Sequence, residues 1–123
     1  MGNKESLLVV DDEVSVTRAL RRVLAPYFAA LRLANTPYDA RVILASEKIT
    51  HVLCDHWLGV GEPLGLDLLP RWKSSFPSIE RAVLFTGFDV EALAPDPKID
   101  AVISKRVDLD ALVCTLFGDN RVA

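Results

Sequence analysis

The sequence predicts an α/β domain built on a doubly wound, five-stranded parallel sheet. Three observations lead there. Short apolar runs stop abruptly at polar residues, as strands buried on both faces of a parallel sheet do. Stretches with helical spacing separate these runs, which is the strand-helix alternation of βαβ units. Finally, Asp11 and Asp12, Asp55, Thr86 and Lys105 each close one of the runs, at the edge where open α/β sheets bind their ligands.

The bulk properties agree with a single domain. The chain has 123 residues, half of them hydrophobic, enough for one core. Its net charge of -3 is spread over interspersed acids and bases, so there is no basic stripe for nucleic acid and no polybasic segment for a membrane surface. No signal pattern opens the chain and no apolar run reaches the ~18 residues of a spanning helix, so a soluble, cytoplasmic protein is expected. Cys54 and Cys114 lack metal-ligand spacing and read as buried free thiols.

The first strand is Ser6 to Val10, ending in Asp11-Asp12-Glu13. Acids favour a helix N-terminus, and Asp12 is a candidate cap, but a cap accounts for one acid rather than three. Val16, Leu20, Val23, Leu24 and Tyr27 then recur at helical spacing, with Arg18, Arg21 and Arg22 outside the stripe, and the helix ends near Pro26. A second strand at 31–34 leads through Asn35-Thr36-Pro37 into a helix that turns Ala40, Ile43 and Leu44 inward. The third strand, from His51, delivers Asp55 to its end. A loop rich in glycine follows at 59–65. The next helix is expected to start near Asp67 as its cap, with Pro70 in its first turn and Leu68, Leu69, Trp72 and Phe76 facing in. The fourth strand covers 82–85 and closes on Thr86-Gly87. Pro95 and Pro97 leave room only for a short helix at 90–94. The fifth strand, 101–104, closes on Lys105. Asp108 caps a final helix with Leu109, Leu112, Val113 and Leu116 inward, which stops at Gly118.

Whether the strand ends meet depends on strand order. With the first and third strands adjacent at a switch point, all of these ends line one cleft. Carboxylates about 4 Å apart there repel by roughly 4 kcal/mol per pair at an effective dielectric near 20, so the cluster calls for a counterion or raised pKa values. Mg²⁺ suits two or three acids at an open edge, because it keeps waters and phosphate oxygens among its ligands. Lys105 as a point charge and Thr86 as a hydroxyl donor complete a site able to stabilise a phosphoryl group in transfer.

From about Leu7 to Phe117 the sequence resembles the response-regulator receiver domains of two-component signalling. The acidic pair of that family matches Asp11 and Asp12, its phosphoacceptor matches Asp55, its hydroxyl residue Thr86 and its lysine Lys105; Ala34, Ala40 and Gly65 also fit the pattern. The resemblance implies the flavodoxin-like strand order 2-1-3-4-5. It also implies a phosphorylation-dependent switch in which Asp55 takes a phosphoryl group from a histidine kinase, a histidine phosphotransfer protein or a small acyl phosphate. Asp11, Asp12 and Asp55 would hold Mg²⁺, and Thr86 and Lys105 would contact the phosphoryl oxygens. Residues 1–123 then form one receiver domain with no output domain, not an enzyme in the ordinary sense, whose signal leaves by protein contact.

Several features depart from the family. Arg106 follows Lys105 where proline is usual, so the cis peptide bond is not expected and Lys105 is held less firmly. Val102 stands where an aromatic commonly swings inward. The span from Asp55 to Gly65 is longer than usual and that from Thr86 to Lys105 shorter, so the fourth helix must be stunted. A monomer, or a weak dimer through a face other than residues 89 to 100, is therefore expected, and the 56–64 loop becomes the candidate carrier of the switch. Trp57 and Phe88 flank the approach of a hydrolytic water, and their bulk predicts a long-lived phosphorylated state. Two other readings stand beside this one. A degenerate receiver would serve as a protein-binding module without regular phosphorylation. A haloacid-dehalogenase-type phosphohydrolase would need D-x-D after the first strand, where Asp11 and Asp12 are adjacent.

Overall fold

The computed structural model describes residues 4–87 and 96–118. Five strands, β1 (Ser6–Val10), β2 (Ala30–Ala34), β3 (His51–Asp55), β4 (Arg81–Thr86) and β5 (Ala101–Ser104), form one parallel sheet in the order β2-β1-β3-β4-β5. The helices α1 (Val14–Leu24), α2 (Pro37–Ser46) and α3 (Gly65–Ser75) make the crossovers from β1 through to β4, and α4 (Leu109–Phe117) follows β5. The short helix expected at 90–94 lies outside those residues, as does Phe88; α4 is the helix expected after Asp108. No described helix is long and apolar enough to cross a membrane.

Period-two alternation sorts the strand side chains onto two faces. Leu8, Val10, Val52, Cys54, Ala82 and Leu84 pack with Ala40, Leu44, Leu68, Leu69 and Trp72 of α2 and α3. Leu7, Val9, Leu53, Val83 and Phe85 pack with Leu24, Phe28, Leu112, Val113 and Leu116 on the other side. Both faces are covered, which is why the strand runs are apolar throughout rather than alternating.

The same register levels the strand ends. Val10 pairs with Cys54, so Asp11 emerges beside Asp55. Asp55 pairs with Phe85, so Thr86 stands one step further on. Thr86 pairs with Ser104, which puts Lys105 one step beyond that.

Local details differ from expectation in five places. Asp12 does not cap α1: Glu13 occupies the cap position without a side-chain cap bond. Val23 is 41% exposed, and Thr17 takes a buried place because its hydroxyl bonds to the Val14 carbonyl and receives the Asn35 amide. The helix α3 starts at Gly65, with Asp67 in its first turn and Pro70 inside it. Pro70 removes the N–H that the Leu66 carbonyl would take, and the helix persists because Leu68, Leu69 and Trp72 are buried around the break. Leu109 is partly exposed, since α4 inserts through Leu112, Val113 and Leu116. Cys54 is buried as expected, but Cys114 is only half-buried.

The entry to α3 is set by close approach. The Gly65 N–H donates to the His56 carbonyl at 2.8 Å, closing the loop that follows Asp55. A Cβ at residue 65 would overlap the Asp55 carbonyl oxygen and lie 3.0 Å from Leu84 Cδ1. Gly65→Ala is therefore expected to destabilise the fold by about 1–3 kcal/mol, the range of overpacked positions where backbone must shift. Urea unfolding measures this, and a loss under about 0.5 kcal/mol, ordinary for a surface site, would mean that the contact relaxes freely.

Candidate functional site

Backbone contacts place the first acid before its side chain is considered. Asp11 donates its N–H to the Ala34 carbonyl at 3.1 Å, and its own carbonyl accepts the Asn35 amide at 2.8 Å. The same Asn35 nitrogen reaches the Thr17 hydroxyl at 3.2 Å. Asp11 is thus pinned between β2 and α1. Its Oδ1 accepts the Glu13 N–H at 3.0 Å, and its Oδ2 faces Lys105 Nζ at 2.9 Å. In the sequence alone Asn35 belongs to a turn and Thr17 to no candidate site. The signal in the sequence was a hydroxyl at position 17, in helical register with Leu20 and Leu24 on the inward side of α1.

Lys105 ties the buried acids together. Its Nζ also lies 3.2 Å from Asp55 Oδ2 and 5.7 Å from the centre of the Phe85 ring. Its backbone N–H donates to the Thr86 carbonyl at 2.9 Å. No cis peptide bond occurs among the described residues, yet the side chain is held by two carboxylates and the backbone by Thr86. Thr86 is fully buried. Asp55, Trp57, Thr86, Gly87 and Lys105 line a cleft of about 240 Å³. Asp11, Asp12, Asp55, Thr86 and Lys105 all stand at this one edge, with Asp12 exposed at its rim.

Burial pushes the Asp55 carboxyl up, and the neighbouring Asp11 charge adds to this. Lys105 and the Trp57 backbone N–H oppose the rise without cancelling it. For Lys105 burial pulls the ammonium down, but the Asp11 hydrogen bond and both acid charges more than offset it, so the group stays protonated above its ordinary range. The thiol of Cys54, buried next to Asp55, is raised well above its usual value by burial. That makes it an inert neighbour rather than a nucleophile.

One carboxylate oxygen from each of Asp11, Asp12 and Asp55 lies within 4.8 Å of the others. Three carboxylates against one ammonium leave a formal excess of two negative charges. An all-oxygen donor set at an open edge with that excess fits a hard divalent cation. Asp11 and Asp55 already share Lys105, so Asp12, exposed and outside that pairing, is the acid most accessible to the ion.

These features define an α/β domain whose acidic pocket sits at the carboxyl edge of the sheet. Known proteins carry the assignment further. No protein-family profile matches the chain. It is 32% identical over 120 residues to the hydrogenase transcriptional regulatory protein HoxA of Bradyrhizobium diazoefficiens, an alignment covering 94% of this chain and 24% of that protein. It is 33% identical over 86 residues to HoxA of Cupriavidus necator, covering 68% and 17%. The chain thus spans about a quarter or less of the length of these curated relatives. Among solved structures, the signal receiver domain of an HD domain-containing protein from Pseudomonas fluorescens Pf-5 superposes with a TM-score of 0.80 at 25% identity, covering 98% of this chain and 97% of that one. A CheY-like receiver domain from Methylobacillus flagellatus superposes at 0.79 with 18% identity, covering 93% and 97%. The chain belongs to the response-regulator receiver domains of two-component systems.

The raised carboxyl of Asp55 has a direct thermodynamic consequence. A group whose folded pKa exceeds its unfolded value contributes stability that is fully present below the unfolded pKa and lost as pH rises through the folded one. Ionised Asp55 therefore costs stability in the metal-free protein at neutral pH. Asp55→Asn should stabilise it there, with the difference fading as pH falls through the raised pKa and gone below about 4. Thermal unfolding across pH in the presence of a chelator checks this; an Asn variant less stable than the parent at pH 7 would show that the Lys105 pairing outweighs burial.

Proposed function

We propose that Asp55 is a phosphoacceptor and that residues 1–123 work as one phosphorylation-dependent signalling unit. The observation that carries this is the meeting of Asp55, Asp11, Asp12, Thr86 and Lys105 at one open cleft. An Asp55 oxygen attacks the phosphorus of a phosphohistidine on a histidine kinase or a histidine phosphotransfer protein. The P–O bond forms as the P–N bond breaks, and the leaving imidazole takes its proton from solvent. Lys105 meets the charge on the transferring group, and Thr86 supplies a hydroxyl to a phosphoryl oxygen. Asp11, Asp12 and Asp55 would hold Mg²⁺, which when bound neutralises phosphoryl charge. A response regulator from Burkholderia pseudomallei, 24% identical with a TM-score of 0.76 and covering 92% of this chain and 66% of that one, contains a phosphorylated aspartic acid and a calcium ion. That precedent supports both the acceptor chemistry and a divalent ion.

Acetyl phosphate with Mg²⁺ should add one phosphoryl group to the chain, located on Asp55 by mass spectrometry and absent in Asp55→Asn. Chelation should abolish the adduct, and Lys105→Ala should slow loading by about tenfold or more, the typical scale of a single electrostatic contact to a transferring group. No adduct from acetyl phosphate or from any phosphohistidine donor would favour a binding module that is not phosphorylated.

The lifetime of the adduct follows from the cleft walls. Trp57 lines the cleft with Asp55 and Thr86 and is 48% exposed, so its ring occupies part of the approach that a hydrolytic water would need. Only its indole N–H can hydrogen-bond. Trp57→Asn should speed phosphoryl loss by about tenfold, equivalent to ~1.4 kcal/mol of barrier. Decay is timed after removal of the donor, and an unchanged rate means that the indole is not the shield.

A further inference from the structure

A second cleft lies away from the aspartate pocket, over the outer surface of α3. It encloses about 470 Å³ and is lined by Arg41 from α2, by Pro70, Arg71, Ser74 and Ser75 from α3, and by Asp96 and Lys98. Its far wall is fixed. Lys98 Nζ bonds to Ser74 Oγ at 3.0 Å, and Lys73 Nζ holds both the Lys98 carbonyl at 3.2 Å and Asp100 at 2.6 Å. The one acid in the lining, Asp96, accepts the Lys98 N–H at 2.8 Å within its own turn. Arg41 and Arg71 are exposed and have no ion-pair partner among the described residues. Three cations thus converge on one cleft in a chain whose net charge is -3.

Beside the cleft, α2 carries an exposed apolar stripe. Tyr38 is 75% exposed and Val42 48%, and with exposed Ala45 they recur at i, i+4 and i+7 along the outer face of α2. Arg41 belongs to the same helix and lines the cleft beside this stripe. An exposed apolar stripe bordered by Arg41, next to a cleft that adds Arg71 and Lys98, matches an amphipathic helix with acids along its flank. Nucleic acid would not use the stripe. A second copy of the chain is a poor occupant, because none of the four described helices carries more than one acidic residue. A two-fold contact through this face would also set Arg41 and Arg71 against like charges.

We propose that the α2–α3 face docks an acidic amphipathic helix of a partner protein, with its apolar residues on Tyr38 and Val42 and its carboxylates on Arg41, Arg71 and Lys98. The site is independent of Asp55 chemistry and is tested in the unphosphorylated chain. The probe is a designed helical peptide of about 16 residues with leucines at i, i+4 and i+7 flanked by glutamates, a length that can hold a helix once docked. Titrated into the ¹⁵N-labelled chain, it should shift amides of α2, α3 and residue 98 selectively. Arg41→Glu with Arg71→Glu should weaken it by about tenfold or more, and the same peptide with lysines in place of glutamates should then bind the double variant better than the parent, the signature of charge complementarity. Tyr38→Ser, at an exposed position that leaves the core intact, should weaken the glutamate peptide as well. The proposal fails if no shifts map to this face, if the lysine peptide binds the parent equally well, or if inorganic tripolyphosphate produces the same shifts, which would make the cleft a small-anion site. Concentration-dependent dimers in light scattering that occupy the same amides would likewise overturn it in favour of self-association.

Discussion

Two buried carboxylates share one ammonium, and the architecture of the working edge follows from that constraint. Asp11 and Asp55 end adjacent strands, and their side chains are almost fully buried. Without a cation between them, like charges at that spacing would cost several kcal/mol in a partly desolvated site. Lys105 supplies the cation from 2.9 and 3.2 Å. It can do so only because β5 lies next to β4 and its end is bonded to Thr86. The doubly wound order is therefore as much an electrostatic requirement as a packing one: it brings the lysine from the far end of the chain to the acids of β1 and β3.

The neutralisation is deliberately incomplete in the physical sense that charge remains after pairing. Asp12 adds a third carboxylate at the exposed rim, and Asp55 stays above its ordinary pKa although Lys105 touches it. A pocket with residual negative charge and a desolvated carboxyl at Asp55 has free energy to release when a bound cation changes its balance. A fully paired cluster would be a static structural element, since no ligand would add a favourable contact that the protein lacked.

Much of the fold was readable because burial on both faces makes parallel strands stand out as apolar runs, and β1 and β5 were placed to the residue by their polar stops. The site residues were legible for the same reason, as Asp55, Thr86 and Lys105 mark where apolar sequence ends. What was less legible depends on contacts between distant segments. Thr17 and Asn35 look like ordinary helix and turn residues until the Asp11 backbone arrives between them. The start of α3 is obscured in the sequence because Asp67 and Pro70 carry strong local signals for a helix beginning. The actual start is fixed by Gly65 against the Asp55 carbonyl, a contact with no local signature. Val23 follows helical spacing yet faces out, because α1 is covered on only part of its circumference.

Lys105 also limits how a change at Asp55 can travel. Its head is shared with Asp11, whose backbone is locked to Ala34 and Asn35, so the Asp11 side of the arrangement resists displacement. The backbone of Lys105 is bonded to Thr86, and Val102 on β5 packs as a half-buried side chain on the α2–α3 side of the sheet. Under the proposed phosphorylation, new acceptor oxygens compete with Asp11 for one ammonium, and whatever moves must be attached to Asp55, Thr86 or Lys105. An aliphatic residue at 102 has no polar atom to follow the Thr86 hydroxyl and too little bulk to swing between two positions. The loop after Asp55 is tied to the site through the Trp57 N–H and to α3 through Gly65. Strain arising at the acceptor therefore reaches the start of α3 through the fewest intervening bonds, and α3 is the element that joins the aspartate pocket to the cationic cleft on its outer surface.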